Sequence, residues 1–98
     1  MNRDQAIARI KTVEPVIRAL GAKALYLFGS TARNQALDGS DIDVFIDRDP
    51  AQQCGFSEFF DIQETLESAL GVLVDLGTRT GLHPVLKHAI EQSAIRVF

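Results

Sequence analysis

Gly29-Ser30-Thr31-Ala32-Arg33-Asn34-Gln35-Ala36-Leu37-Asp38-Gly39-Ser40-Asp41-Ile42-Asp43 stands between two short apolar runs, and the rest of the chain is read outward from it. Ala24 to Phe28 is a run of strand length that ends at Gly29. Ser30 opens a short helical stretch, Thr31 to Ala36, and Asp38-Gly39 within Leu37 to Ser40 signals a turn. From Asp41 to Asp47 the chain alternates: Ile42, Val44 and Ile46 face one way, Asp41, Asp43 and Phe45 the other. Upstream, Ile7, Ile10, Val13, Ile17 and Leu20 recur at helical spacing. They predict an amphipathic helix over 3–20, kinked or split by Pro15 and stopped by Gly21. Downstream, Arg48 to Gly55 is a polar loop, and Phe56, Phe59, Ile62, Leu66 and Ala69 mark a long helix closed by Gly71. Val72 to Leu76 reads as a third strand, Val85 to Glu91 as a helix after Pro84, and Ala94 to Phe98 as a last short strand. Helices alternating with short strands predict an α/β (α+β) fold, a small mixed sheet flanked by helices, with one domain over 1–98.

The bulk properties narrow the function. A chain of 98 residues with 46% hydrophobic content can fill one core, which excludes a disordered tail. Its net charge of −3 and pI near 5.2 argue against direct nucleic-acid binding, which relies on many Lys and Arg contacts to phosphate. Cys54 is the only cysteine, so no intramolecular disulfide and no cysteine-rich metal site is expected. Without an apolar N-terminal block or a run of about 20 apolar residues, the chain reads as cytoplasmic, with no membrane partner.

Chemistry enters with the acids. Residues two apart on a strand share a face, so Asp41 and Asp43 project side by side. Carboxylates about 4 Å apart repel by about 1 kcal/mol in water and about 4 kcal/mol near a protein surface. Arg33 and Arg48, the nearest basic residues in sequence, offset only part of that. A divalent cation removes the conflict, because Mg²⁺ favours carboxylate together with substrate phosphate oxygens. Asp75, alone in an otherwise apolar run, is the candidate third ligand. Asp41 taken singly also fits ordinary turn chemistry, and Asp38 and Asp47 read as surface residues.

Beside the acids, Gly29 lets a phosphate approach the backbone and Ser30 is able to donate its hydroxyl to it, at a helix start whose N–H groups favour anions. The same two residues are equally explained as a turn glycine and an N-cap. Their position relative to Asp41 and Asp43 points to nucleotidyl transfer. There is no Gly-Lys-Ser/Thr loop and no Gly-x-Gly-x-x-Gly. His83 and His88 have no catalytic partner in view, and Arg79 and Lys87 read as solvated charge.

Phe28-Gly29-Ser30-Thr31-Ala32-Arg33 followed by Ser40-Asp41-Ile42-Asp43 resembles the signature of the polymerase-beta-type nucleotidyltransferase superfamily. The short length and the ending Leu86-Lys87-His88-Ala89-Ile90 resemble its minimal nucleotidyltransferase (MNT) branch. The resemblance implies that Gly29 and Ser30 grip a nucleoside triphosphate, that Asp41, Asp43 and Asp75 hold two Mg²⁺ ions, and that Asp75 helps deprotonate the attacking hydroxyl. It further implies an antitoxin that transfers AMP from ATP to a tyrosine of a HEPN-domain toxin. The toxin's own Arg-x4–6-His motif is absent, since Arg79 and His83 are too close. Two other functions compete: a non-catalytic antitoxin that covers its partner, and a transferase acting on a small molecule. The intact acids weigh against the first. Against the second weighs the lack of an added domain, which leaves the acceptor surface to a partner in a hetero-oligomer.

Overall fold

The computed structural model describes residues 1–37 and 39–98, so the expected turn at Asp38 lies outside the described residues. Helix α1 (Arg3–Lys11) starts from a reciprocal cap: the Gln5 N–H donates to the Asn2 side chain and the Asn2 N–H donates to Gln5 Oε1. The predicted helix over 3–20 is indeed split, and α2 covers Glu14–Ala19. Pro15 sits in the first turn of α2, where its missing N–H would have had no helical partner. Gly21 then turns the chain at φ +112° into strand β1 (Ala22–Phe28).

Several boundaries differ from the sequence reading. The short helix α3 is Gly29–Ala32 rather than Thr31–Ala36. It starts directly at the end of β1 with Phe28 as N-cap, and Asn34, at φ +58°, ends it. Ser30 is therefore inside the helix, not its cap. Strand β2 is Ile42–Arg48 and α4 is Phe56–Leu70, closed by Gly71 in the left-handed region as expected. Strand β3 is Val74–Thr78, two residues later than read, because Val72 and Leu73 complete the turn out of α4. A 3-10 turn at Arg79–Gly81 leads on to α5, which covers Lys87–Ser93 rather than Val85–Glu91. The amides of Leu86 and Lys87 still turn back onto the His83 carbonyl, so the helix proper starts late. Strand β4 is limited to Ile95–Arg96, although Val97 and Phe98 continue bonding to Leu25.

The sheet order is β3-β2-β1-β4, with β1 antiparallel to β2 and β4 and β2 parallel to β3. It is a mixed sheet, as predicted. One face carries Leu25 and Leu27 of β1 and Ile42, Val44 and Ile46 of β2. These pack with Ala6, Ile10 and Ile17 of α1 and α2 and with Ile62, Leu66 and Leu70 of α4. The other face was expected to be polar with one Phe, yet Phe45 is fully buried. Its ring stacks on Tyr26 at 4.9 Å and leans on Phe28 at 5.7 Å, and burying it is worth about 1.5–3 kcal/mol. The sheet thus has an aliphatic face under α1, α2 and α4 and an aromatic face on which the acids stand. Among the described residues, no helix is long and apolar enough to cross a membrane.

Candidate active site

The parallel register between β2 and β3 sets Asp43 directly beside Asp75, on the aromatic face. The antiparallel register between β1 and β2 sets Asp43 beside Phe28, so the Gly29 turn falls against the same carboxylate. Gly29 has φ +74°, and a Cβ there would collide with Asp43 Oδ2. Only glycine fits both the backbone and the space. Asp41 precedes β2 on an exposed stretch, and Ser30 lies half-buried in the first turn of α3. The structure therefore gathers Gly29, Ser30, Asp41, Asp43 and Asp75 at one end of the sheet.

The carboxylates are in conflict. Burial, followed by repulsion from Asp75 and Asp41 and a hydrogen bond shared with Asp75, pushes the Asp43 carboxyl above its ordinary range, and Arg33 pulls it partly back. Such a pair is one that a cation would discharge. Among the described residues, no three His, Cys, Asp or Glu side chains are arranged to hold a metal ion by themselves. The donor set fits Mg²⁺, which takes one or two carboxylates and completes its shell with water and substrate phosphate. It does not fit a structural metal, which needs a closed protein cage.

Sequence reading missed two features. Arg79 is not solvated charge. It grips Asp47 through Nε (2.8 Å) and a second nitrogen (3.0 Å) and Glu91 of α5 through a third (2.7 Å). Its guanidinium also lies 4.7 Å from the Tyr26 ring centroid and 5.1 Å from that of Phe45. Asp47, read as a surface residue, has a side chain only 20% exposed. The partners lie 32 and 12 residues away in sequence, so no local pattern marks the cluster. The second feature is a small cleft of about 170 Å³ between α3 and α5, lined by Phe28, Gly29, Arg33, Leu86 and Ile90. His83 and His88 are exposed as expected. A groove of about 690 Å³ between α2 and α4 is lined by residues of the helical layer and includes none of the site acids.

Comparison with known proteins agrees with this geometry. A family model described as a nucleotidyltransferase domain matches residues 10–97. A Methanocaldococcus jannaschii protein named "Putative protein adenylyltransferase MJ1379" is 41% identical over 76 residues, covering 76% of each chain. A solved structure titled "Structure of putative minimal nucleotidyltransferase" is 29% identical and superposes with a TM-score of 0.81, covering 97% of this chain and 95% of the other. A more distant fold neighbour is 20% identical, with a TM-score of 0.66, covering 95% of this chain and 71% of the other. It comes from a structure of a tri-AMPylated Shewanella oneidensis HEPN toxin in complex with MNT antitoxin. With its Gly-Ser turn set against paired aspartates, this chain belongs to the nucleotidyltransferase domain family, in its minimal branch.

Proposed function

We propose that this chain is a Mg²⁺-dependent protein adenylyltransferase that moves AMP from ATP onto a hydroxyl, that of a tyrosine, in a HEPN-type toxin, and so serves as antitoxin. The observation that carries the reading is the Asp43–Asp75 pair held under Gly29, where a nucleotide phosphate and a cation would relieve the repulsion together. The names of the relatives supply the acceptor class: adenylyl transfer to protein for the archaeal homologue, and a HEPN toxin for the distant fold neighbour.

In this reading Asp41, Asp43 and Asp75 would hold two Mg²⁺ ions, and the Gly29 backbone and Ser30 hydroxyl would receive the triphosphate. Mg²⁺ held there would neutralise charge on the phosphates and lower the pKa of an attacking hydroxyl. The acceptor oxygen forms a bond to the α-phosphorus while the bond to the β-phosphate bridging oxygen breaks. Pyrophosphate leaves, and the hydroxyl proton passes to Asp75. Arg33, already within electrostatic reach of Asp43, adds positive charge beside the same phosphates.

Co-expression with the protein encoded beside this chain, followed by intact mass measurement of both, tests the proposal. Partner mass should rise by whole AMP units with the wild type and not with the Asp41→Ala/Asp43→Ala variant. A stable complex with an unmodified, neutralised partner would sink the reading in favour of occlusion. No complex and no modification would redirect it to small-molecule acceptors.

A further inference from the structure

Strand β3 is one edge of the sheet and β4 the other. The Ile42 N–H donates to the Leu73 carbonyl at 3.0 Å, so Leu73, Asp75 and Gly77 turn their backbone groups toward β2. Val74, Leu76 and Thr78 consequently turn theirs outward. Helix α4 covers the first of these positions: Gln63 Nε2 donates to the Val74 carbonyl at 3.0 Å, and the Val74 N–H donates to Glu67 Oε2 at 2.9 Å. Leu76 has no such cap on either backbone group among the described residues, and the Thr78 N–H continues the row. The edge is closed at one end and open immediately beside Asp75.

Two features flank the open length. On the helical side Cys54, Phe56, Phe59 and Thr78 line a cleft of about 430 Å³, and Phe56 is 85% exposed. On the side of the acids Gly77 leaves room, because a Cβ there would meet nothing within 4 Å. Gly77 shares its face with Asp75, two residues earlier.

We propose that the acceptor hydroxyl is delivered on an extended segment of the partner protein that pairs antiparallel with Leu76–Thr78. This inference rests on the protein-adenylylation reading above. In that register the residue opposite Asp75 belongs to a non-hydrogen-bonded pair, with Cα atoms about 4.5 Å apart and both side chains on one face. Its hydroxyl-bearing side chain lies over Gly77 and meets the Asp43–Asp75 pair. The adjoining residue of the segment points to the other face, into the Phe56–Phe59 cleft, so the segment carries an apolar residue next to the hydroxyl one. Three residues of open edge span about 10 Å. That is too short for the roughly 1,200 Å² or more of a stable interface, so the occupant is a segment of a protein held elsewhere and not a second copy of this chain.

The test uses the co-expressed partner with wild type, Leu76→Pro and Phe56→Asp. Proline at position 76 removes an outward N–H and leaves the β2 ladder intact. Both variants should retain the melting shift produced by ATP with Mg²⁺. Phe56→Asp should raise KM for the partner about tenfold with little change in kcat, and Leu76→Pro should slow transfer at least as much. In the wild-type complex the Leu76 and Thr78 amides should exchange hydrogen more slowly than in the free protein, a readout that stands even if Leu76→Pro fails to fold. Normal transfer with both amides exchanging at the free-protein rate overturns the docking mode alone. Absence of transfer by the wild type overturns the adenylylation reading, and this inference with it.

Discussion

At the scale of single residues, Gly29 and Asp43 are two halves of one constraint. Gly29→Ala places a side chain at positive φ and against the Asp43 carboxylate. The left-handed backbone alone costs about 1–2 kcal/mol. The expected outcome is a melting temperature lower by roughly 4–8 °C per kcal/mol and loss of AMP transfer, read by thermal melts and partner mass. Asp43→Asn should do the reverse to stability while also abolishing transfer. The fold raises the pKa of Asp43, so it favours the protonated form. That contribution is complete below the unfolded-state pKa and is lost as pH rises through the folded one. A neutral Asn therefore stabilises the metal-free protein at pH 7, by about 0.5–2 kcal/mol, the usual scale of relief at a site selected for activity. The advantage over wild type should vanish in melts below pH 3.8, the ordinary Asp value. Equal stability of the two proteins at pH 7 would contradict the assignment. The acids were legible in the sequence because a charged residue in an apolar strand is conspicuous, whereas Gly29 fitted an ordinary turn equally well and stood out only by its place relative to Asp41 and Asp43. Asp75 was found that way, and the register explains why it matters.

At the scale of elements, the amphipathic periods located the secondary structure but not its ends. Pro15 broke the first helix where its chemistry demanded, whereas the borders of α3 depend on two left-handed residues, Gly29 and Asn34, whose conformations no periodicity reveals. Strand β3 began later than its apolar run because Leu73, 66% exposed, belongs to the turn. Least legible was the tie between β2 and α5 through Arg79, since a three-way clasp between distant segments leaves no local trace. Arg79→Met keeps much of the stem over Tyr26 and Phe45 but strands Asp47 and Glu91. Charged hydrogen bonds of this kind are worth about 1.5–3 kcal/mol when well shielded, and less at this partial exposure. We expect a loss of about 1–2 kcal/mol, with faster hydrogen exchange in α5 and not in α4. Arg79→Lys should recover only part of it, because an ammonium cannot bridge both carboxylates with the same fork. Uniformly accelerated exchange in α4 and α5 would show that the clasp supports the whole fold instead.

At the scale of the molecule, the sheet separates maintenance from chemistry: aliphatic packing under α1, α2 and α4 on one side, aromatic rings and acids on the other. In the proposed reading the acids couple the ligand to the fold through the bound cation. ATP with Mg²⁺ at 100 times its dissociation constant should raise stability by about 2.7 kcal/mol, and the shift should disappear when EDTA is added or when Asp41 and Asp43 are replaced by Ala. A comparable shift with ATP alone would mean that the phosphates are held without the cation. The chain order of the site has a consequence for how the protein is made. Gly29 and Asp43 come from one contiguous β1-α3-β2 unit, but Asp75 arrives only after α4 has crossed the sheet and β3 has docked in parallel. Until then Asp43 lacks the neighbouring carboxylate that, together with burial and Asp41, raises its pKa. Its carboxyl resonance is thus an internal gauge of assembly: the docking of β3 beside β2 adds to the upward shift, so the titration reports whether that strand has seated.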